Sequence, residues 1–391
     1  MRVIICTWAW PSHLYAMVPL SWALRAAGHE VLVATQPSLL DTVGRTGLPA
    51  APVGHDVDAV SAFRDIAFPA EHHEPAEHHE PTGHHEPTGR HGTRGGPRVV
   101  ALFAAIAEAM AADLIALARG WRADLVVSEP TCLAAPVAAA ALGIPHVRHL
   151  YGTDLLAAAS GFLEPAVHSL RQRLGIPPVD LAGAATVDPC PAGLQPHAAP
   201  GLRIPMRYVP FNGPGLLPRP LPRSSGRPRV CVTWGTTPAR VDPRLFLAGP
   251  VARALADRAE VIVAITQDQR HLLGDQPPGV RIVESVPLHL LLPRCDAVVS
   301  HGGAGTILTA LASGLPLLLI PCLPDHVRHA AAVTAAGAAV TLPRGTEAAE
   351  PIAEALPEVL AGRPAAAKLR QAMAGQLSPA EVVGELEELA G

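Results

Sequence analysis

Lysine is nearly absent from this 391-residue chain, in which Lys368 is the only one and the other basic side chains are arginines. Aromatic residues are scarce as well, at 4% of the sequence, and the formal net charge is −4 at pH 7. A slightly acidic chain has no excess of positive charge with which to hold phosphate backbones or anionic lipids. We therefore expect neither nucleic acid nor a membrane as a partner.

Closely spaced cysteine pairs are also missing. The chain contains six cysteines but no Cys-x-x-Cys motif, and most of the six lie in apolar runs that are typical of a buried core. Scattered, buried thiols fit a reducing compartment better than secretion. We therefore expect a cytoplasmic protein.

Long uninterrupted apolar runs are a third absence. Residues 100–118 include Glu108 and Asp113, and residues 307–323 contain one glycine and two prolines. A membrane-spanning helix needs about 20 predominantly apolar residues, so we expect no span in either segment. The apolar start of the chain is short and leads directly into Trp8, which favours a first buried strand over a signal peptide.

Short apolar runs alternate with helical patterns along both halves of the chain. This order predicts α/β architecture, with parallel sheets covered by helices on both faces. A proline- and glycine-rich stretch at 210–228 reads as a linker, and Ser378 opens a capping box for a last helix. The predicted units are a first domain 1–209, the linker, a second domain 229–376, and a C-terminal helix 377–391 that packs back toward the first domain. The predicted strands are 3–7, 30–35, 125–128, 145–149, 229–234, 260–265, 280–283, 296–300 and 317–320, and the predicted helices are 14–27, 99–119, 131–142, 243–257, 304–313 and 326–336.

Residues 71–91 interrupt this alternation with an imperfect six-residue repeat rich in His, Glu and Pro. The repeat contains no apolar periodicity, so it predicts a mobile insertion within the first domain. Its seven histidines could alternatively bind a transition metal, although no fixed framework of ligands is evident. We favour the solvated loop and predict no metal site.

The segment 301–306, His-Gly-Gly-Ala-Gly-Thr, is the most informative motif. It stands between an apolar strand pattern and an apolar helix pattern. Glycines let the backbone approach a diphosphate closely, and the amides and positive end of the following helix face the anion. The spacing matches neither the dinucleotide fingerprint nor the P-loop. An ordinary strand–helix turn remains the alternative.

A candidate base lies where the first strand ends. Two doubly wound domains place a ligand cleft between them, at the carboxyl ends of both sheets. His13 follows the turn that starts at Trp8, at the mouth of this predicted cleft, and Glu129 follows the strand 125–128 of the same sheet. A histidine oriented by a carboxylate can take a proton from a hydroxyl near neutral pH. Alternatively, His13 is a capping or surface histidine and Glu129 is a helix-start carboxylate.

Together, the cleft histidine, the linker and the glycine-rich motif resemble the two-domain inverting glycosyltransferases of natural-product biosynthesis, which have the GT-B fold. The resemblance is closer to actinobacterial transferases that move TDP-activated deoxysugars, often aminosugars, onto macrolide or anthracycline polyketides. It runs from one end of the chain to the other. The matching segments are 12–15, 18–20, 22–31, 146–154, 206–209, 212–214 and 378–383.

The resemblance implies a donor site for a TDP-sugar in the second domain. Asp325 and His326 would contact the sugar, where related enzymes carry Asp-Gln, and this departure leaves the sugar's identity open. Ser285 stands where an aromatic residue often stacks on the base. The residues implied to hold the nucleotide and its diphosphate are Gly235, Thr236, Val286, Pro287, His301, Gly302, Gly303, Gly305 and Thr306.

The resemblance also implies the acceptor site and the chemistry. His13 would deprotonate the acceptor hydroxyl, with Glu129 in the place of the family's usual Asp. Four residues would face the acceptor, although the two tryptophans could instead pack beneath the inserted loop. A direct displacement would invert the anomeric centre, and the helix end at 302–306 would stabilise the leaving group without a metal. The four acceptor-facing residues are Trp8, Trp10, Tyr151 and Asp154.

For partners, the resemblance implies a TDP-deoxysugar, a polyketide aglycone and a cytochrome-P450-like auxiliary activator, and it allows a homodimer. Two other functions stay open at this point. One is a catalytically silent homologue that binds a sugar nucleotide or a polyketide. The other is a sugar-nucleotide epimerase on the same fold, which would need several acidic residues around the sugar, whereas Asp325 is the evident one.

Overall fold

The structure is a computed structural model that describes residues 1–67, 96–157, 160–195, 201–216, 226–345 and 349–391. The predicted insertion at 71–91 and part of the predicted linker lie outside the described residues.

The first half of the chain forms a parallel seven-stranded sheet. Its strands are β1 (Arg2–Cys6), β2 (Glu30–Thr35), β3 (Ala50–Pro52), β4 (Leu125–Ser128), β5 (His146–His149), β6 (Ala185–Asp188) and β7 (Leu202–Pro205). Their order across the sheet is β3-β2-β1-β4-β5-β6-β7. In β1, Val3 and Ile5 pack into the core on one face, and Ile4 and Cys6 pack into the core on the other. Burial on both faces explains why the central strands are continuous apolar runs.

Helices cover both faces of this sheet. Their bounds are α1 (Pro11–Ala26), α2 (Leu40–Gly44), α3 (Ala59–Ala67), α4 (Gly96–Trp121), α5 (Ala134–Leu142) and α6 (Ser160–Arg173). The stretch Arg98–Trp121 of α4 is long and apolar enough, by length and composition, to cross a membrane, although the sequence analysis expected no such segment. Here Ile106, Met110 and Leu114 of this helix are buried in the first-domain core. Its apolar composition therefore has an explanation within the fold.

The second half of the chain repeats the architecture with a parallel six-stranded sheet. Its strands are β8 (Arg229–Thr233), β9 (Glu260–Ile265), β10 (Arg281–Glu284), β11 (Ala297–Ser300), β12 (Leu317–Leu319) and β13 (Ala339–Thr341), in the order β10-β9-β8-β11-β12-β13. The later helices are α7 (Thr237–Val241), α8 (Ala248–Leu255), α9 (Leu288–Leu291), α10 (Ala304–Ala312), α11 (Pro324–Ala335), α12 (Ala349–Ala361), α13 (Arg363–Ala374) and α14 (Pro379–Ala390). Two doubly wound sheets confirm the predicted fold class.

The sequence patterns missed the outer strands, missed several helices and misjudged another. Strands β3, β6, β7 and β13 lie toward the ends of their sheets and have few large apolar residues, so they lack the continuous apolar run of a central strand. The helices that were not predicted are α2, α3, α6, α7, α9, α12 and α13. The helix predicted over 243–257 is wrong in its first part, because Asp242 accepts a hydrogen bond from the Arg244 amide and caps a short 3₁₀ turn. Extended backbone at Phe246 then separates this turn from α8.

The chain returns to the first domain at its end. Ser378 and Glu381 form the capping box that starts α14. Val382 and Leu386 of this helix join the first-domain core beside α1, and Glu387 pairs with His29 at 3.0 Å. The C-terminal helix therefore packs on the domain in which the chain began.

Candidate active site

A large cleft of about 2930 Å³ opens between the two sheets. Its walls are the loops after the carboxyl ends of the parallel strands, which is where doubly wound folds bind ligands. Contacts across the cleft hold the halves together: Thr153 Oγ1 lies 2.7 Å from His329 Nδ1, and Arg64 donates a hydrogen bond to the Val241 carbonyl. Residues from both halves thus line one cavity.

His13 lies in the first turn of α1 and faces this cleft. Pro11 starts the helix directly after the turn that follows β1, which brings His13 to the cavity wall. Its imidazole stacks on the Tyr151 ring at 4.0 Å between centroids, and the Trp8 ring meets it edge-on at 5.5 Å. The side chain is 12% exposed. These contacts hold the ring in one orientation with an edge toward the cleft.

Glu129 lies directly behind His13. It follows β4, its side chain is fully buried, and its Oε2 is 3.5 Å from Nδ1 of His13. The same oxygen accepts hydrogen bonds from the backbone amide of Thr131, at 2.7 Å, and from the Thr131 hydroxyl, at 2.6 Å. A buried carboxylate in this position can stabilise a positive charge on the imidazole. The structure therefore brings the predicted pair together.

The glycine-rich turn faces His13 from the second domain. It connects β11 to α10, with Gly302 at φ +88 and Gly303 as the residue before the helix. The first amides of a helix have no partner within the helix and carry the positive end of its dipole. Gly303, Gly305 and Thr306 line the cleft, so this helix start points at the cavity.

His301 explains two of the glycines. Its ring lies between Gly235 and Gly303: a Cβ on Gly235 would be 2.7 Å from Cε1, and a Cβ on Gly303 would be 2.4 Å from Nε2. Burial, together with the neighbouring His326, holds the pKa of His301 well below its usual range. The imidazole is therefore neutral near pH 7. Gly303 makes room for this ring, a requirement that the phosphate-binding motif alone did not predict.

The turn after β8 and the loop after β10 form a further part of the second-domain wall, where the resemblance implied the nucleotide. Gly235 and Thr236 line the cavity, as do Val286 and Pro287. The Gln269 side chain donates a hydrogen bond to the Gly235 carbonyl and so holds this turn. Sequence reasoning missed Gln269, although Thr266 and Gln269 have the spacing of a capping box and the Gln269 side chain accepts a hydrogen bond from the Thr266 amide.

The start of α11 carries three polar residues that line the same cavity. The Asp325 carboxylate is half exposed, whereas His326 and His329 are buried. Burial lowers the pKa of His329 to about 4, so this side chain is neutral where it meets Thr153. Asp325 is thus the acidic group that α11 presents to the cavity.

Aromatic and apolar side chains form the opposite wall. Trp8 and Trp10 stack at 4.9 Å between centroids, and Phe63 lies 5.5 Å from Trp10. Both tryptophans are buried, yet both line the cavity. The sequence analysis did not anticipate several further wall residues, which come from α3, α4, α6 and the loop before α6 and carry no motif. These are Phe63, Phe103, Leu155, Leu156 and Phe162.

Asp154 does not take the place that the resemblance implied. Its carboxylate accepts two hydrogen bonds from Arg148, at 2.8 and 2.9 Å, and both side chains are buried. Within the described part of the chain, Asp154 is absent from the cavity wall, whereas Tyr151 is part of it. Asp154 thus stabilises the loop that follows β5, because the buried Arg148 on this strand needs a charged partner.

Comparison with known proteins agrees with this geometry. The N-terminal and C-terminal domain models of the family "Erythromycin biosynthesis protein CIII-like" match residues 22–235 and 251–389. The 3-alpha-mycarosylerythronolide B desosaminyl transferase of Saccharopolyspora erythraea is 35% identical over 418 residues, covering 100% of this chain and 98% of that protein.

Solved structures of glycosyltransferases superpose over the whole chain. VinC in complex with dTDP has a TM-score of 0.80 and 30% identity, covering 100% of this chain and 99% of that one. The spinosyn rhamnosyltransferase SpnG, complexed with spinosyn aglycone, has a TM-score of 0.81 and 31% identity, covering 99% and 100%. The chain therefore belongs to the EryCIII-like family and is a glycosyltransferase.

Proposed function

We propose that this enzyme transfers a deoxysugar from a TDP-sugar to a hydroxyl of a polyketide-type aglycone in antibiotic biosynthesis, with inversion at the anomeric carbon. One observation carries the proposal: His13, backed by Glu129, faces the same cleft as the glycine-rich start of α10. A base and an anion site on opposite walls are what a displacement between an acceptor and a sugar diphosphate needs.

The leaving group meets the second domain. Negative charge grows on the diphosphate as the anomeric bond breaks, and the amides and dipole at the start of α10 stabilise it. The diphosphate would lie against Gly303, Gly305 and Thr306, which line the cleft, with the nucleobase along Val286. The complex of VinC with dTDP supports a thymidine nucleotide as the donor's leaving group.

The acceptor hydroxyl meets the first domain. His13 takes its proton at Nε2, because Nδ1 faces the Glu129 carboxylate. Glu129 stabilises the imidazolium that forms, and the alkoxide attacks from the face opposite the diphosphate. A single displacement of this kind inverts the anomeric configuration.

The aromatic wall favours a large, apolar acceptor. The side chains of Trp8, Trp10 and Phe103 offer ring faces rather than charges, and such surfaces gain free energy by covering apolar carbon. The complex of SpnG with spinosyn aglycone and the name of the desosaminyl transferase support a macrocyclic aglycone. Aminosugars are among the candidate donors, because the half-exposed Asp325 carboxylate can pair with an ammonium group.

The decisive experiment is a matrix of TDP-deoxysugars, with and without an amino group, against macrolide and anthracycline aglycones, read by mass spectrometry. We expect one product heavier than its aglycone by one sugar residue, and no product with His13→Ala. Binding of TDP without transfer or donor hydrolysis across the matrix would favour a silent binding protein. Conversion of the donor into an isomer would favour an epimerase.

We further propose that a cytochrome-P450-like auxiliary protein raises the activity and that the reaction takes place in the cytoplasm. Phe162 of α6 is 72% exposed at the edge of the first-domain wall, and all six cysteines are free thiols. A partner that binds the active form raises its population by mass action. Turnover with and without the co-expressed partner tests the first point, and sedimentation tests for a homodimer.

A further inference from the structure

Glu129 stands at the end of a chain of buried hydrogen bonds that begins at Trp8. The indole Nε1 of Trp8 lies 2.8 Å from the Thr131 hydroxyl oxygen, and that hydroxyl lies 2.6 Å from Oε2 of Glu129. The Thr131 amide donates a second hydrogen bond to the same carboxylate oxygen. All three side chains are buried. Two consecutive hydrogen bonds therefore lead from Trp8 in the aromatic wall to Glu129 of the candidate dyad.

The chemistry of the groups determines the donor-to-acceptor direction of these hydrogen bonds. An indole N–H can only donate, and a hydroxyl has a single proton. The Thr131 oxygen accepts from Trp8, so its own proton points to Glu129. Oε2 of Glu129 accepts hydrogen bonds from both the hydroxyl and the amide of Thr131.

This direction determines where the proton of His13 lies. Oε2 of Glu129 is an acceptor, and it is 3.5 Å from Nδ1 of His13. Nδ1 is buried and has no hydrogen-bond partner among the described residues, so the nearby acceptor favours the tautomer with its proton on Nδ1 and its lone pair on Nε2. We infer that Trp8 and Thr131 are positioning residues that set the tautomer of the catalytic base. The catalytic meaning of this inference rests on the proposed function.

Local structure explains how the arrangement is held. Pro130, which separates Glu129 from Thr131, fixes the backbone angle at the bend, so the Glu129 side chain can curl back onto the Thr131 amide. Trp8 is held by stacking on Trp10 and meets the His13 ring edge-on. Trp8 thus contacts Thr131 through its indole N–H and also contacts the His13 ring. Its polar edge therefore has a role that is separate from that of its apolar face.

Nitrogen NMR of the full-length protein labelled in its histidine rings tests the inference without any substrate. Comparison with His13→Asn assigns the His13 signals. We expect the Nδ1–H tautomer in the unmodified protein and a mixture of tautomers in Thr131→Val. Trp8→Phe removes the indole N–H and should move the His13 signals in the same direction. This variant takes the place of Thr131→Val if Thr131→Val does not fold. Unchanged His13 signals in a folded variant would overturn the inference.

A kinetic cycle with the active donor–acceptor pair gives a second readout. Thr131→Val should lower kcat about tenfold, since one charge-assisted hydrogen bond is lost and one remains, and the donor KM should stay unchanged. Thr131→Ser should restore most of the rate. In a Glu129→Ala background, Thr131→Val should have no further effect, because the group that it positions is gone.

Thr46→Val is the matched control. Thr46 is also a buried threonine of the first domain, with its hydroxyl donating to the Val43 carbonyl at 2.7 Å, and it should alter neither the His13 signals nor kcat. Additive effects of Thr131→Val and Glu129→Ala would overturn the positioning role alone, with the transferase assignment intact. Full turnover of both His13→Ala and Glu129→Ala would instead overturn the proposed dyad, and the positioning role with it.

Discussion

Gly303→Ala is expected to destabilise the second domain through one contact, between the added Cβ and the His301 ring. The backbone at Gly303 has φ −67, which alanine adopts without strain. The new Cβ, however, would lie 2.4 Å from Nε2 and 3.1 Å from Cε1 of His301, whereas ordinary contacts are about 3.5–4.0 Å. The imidazole would have to move by about 1 Å.

The size of the effect follows from where that ring lies. His301 is buried, with the Trp234 ring 6.4 Å and the His326 ring 4.7 Å away. Overpacking of a buried site costs about 1–3 kcal/mol, and each kcal/mol lowers the melting temperature of a domain of about 150–250 residues by roughly 2–4 °C. A shift of the ring also moves the turn that precedes α10, so TDP affinity should fall about tenfold or more.

Gly305→Ala is the matched control within the same turn. No atom among the described residues lies within 4 Å of a Cβ added at Gly305, and alanine is favoured over glycine in a helix by up to about 1 kcal/mol. The free enzyme should therefore keep or slightly raise its melting temperature. If the diphosphate approaches this backbone closely, TDP affinity should nevertheless fall.

Thermal unfolding without ligand and calorimetric titration with TDP measure the two effects separately. Combining Gly303→Ala with His301→Ala should recover most of the lost stability, because the clashing ring is gone. Gly303→Ala with an unchanged melting temperature and unchanged TDP affinity would refute the reasoning. So would an equal loss of stability in Gly305→Ala.

The remaining predictions concern the base and the response to pH. His13→Ala should lower the transfer rate by about 10²–10⁴-fold while TDP affinity, measured by calorimetry, stays unchanged; normal turnover would exclude His13 as the base. Burial lowers the pKa of His146 to about 3 and those of His149 and His329 to about 4, so below pH 6.5 the unfolded chain binds more protons and stability falls toward pH 4. The free energy of unfolding falls by about 1.4 kcal/mol per pH unit for each extra proton that the unfolded chain binds. Asp188, whose pKa burial raises to about 6, partly offsets this loss below pH 6. An equal urea midpoint at pH 7.5 and pH 5 would contradict the prediction.

Much of the fold could be read from the sequence, because the central strands are buried on both faces. Runs such as Glu30–Thr35, Leu125–Ser128 and Glu260–Ile265 have the same bounds in the structure as in the sequence analysis. The outer strands β6 and β7 were not predicted, because a four-residue strand toward the end of a sheet can pair with its neighbour without a continuous apolar run.

The candidate site was predictable to the extent that motifs carry it. His13, Glu129 and the glycines follow strand ends, and parallel strands bring their ends to one edge of a sheet. Asp154 shows the limit of this reasoning: the family resemblance implied that it faces the acceptor, but a buried Arg148 holds its carboxylate. The partner of a charged side chain depends on packing, which local sequence does not contain.

By itself, the sequence determined the two doubly wound domains, the glycine-rich helix start that faces the cleft and the histidine that follows the turn after β1, because each follows from apolar periodicity and turn chemistry within a short window. Only the tertiary structure decided which side chains meet across long separations. It placed Trp8 against Thr131 and the His301 ring between Gly235 and Gly303. Such contacts join residues that lie far apart in the chain, and they arise only when the sheets have brought several loops to one edge.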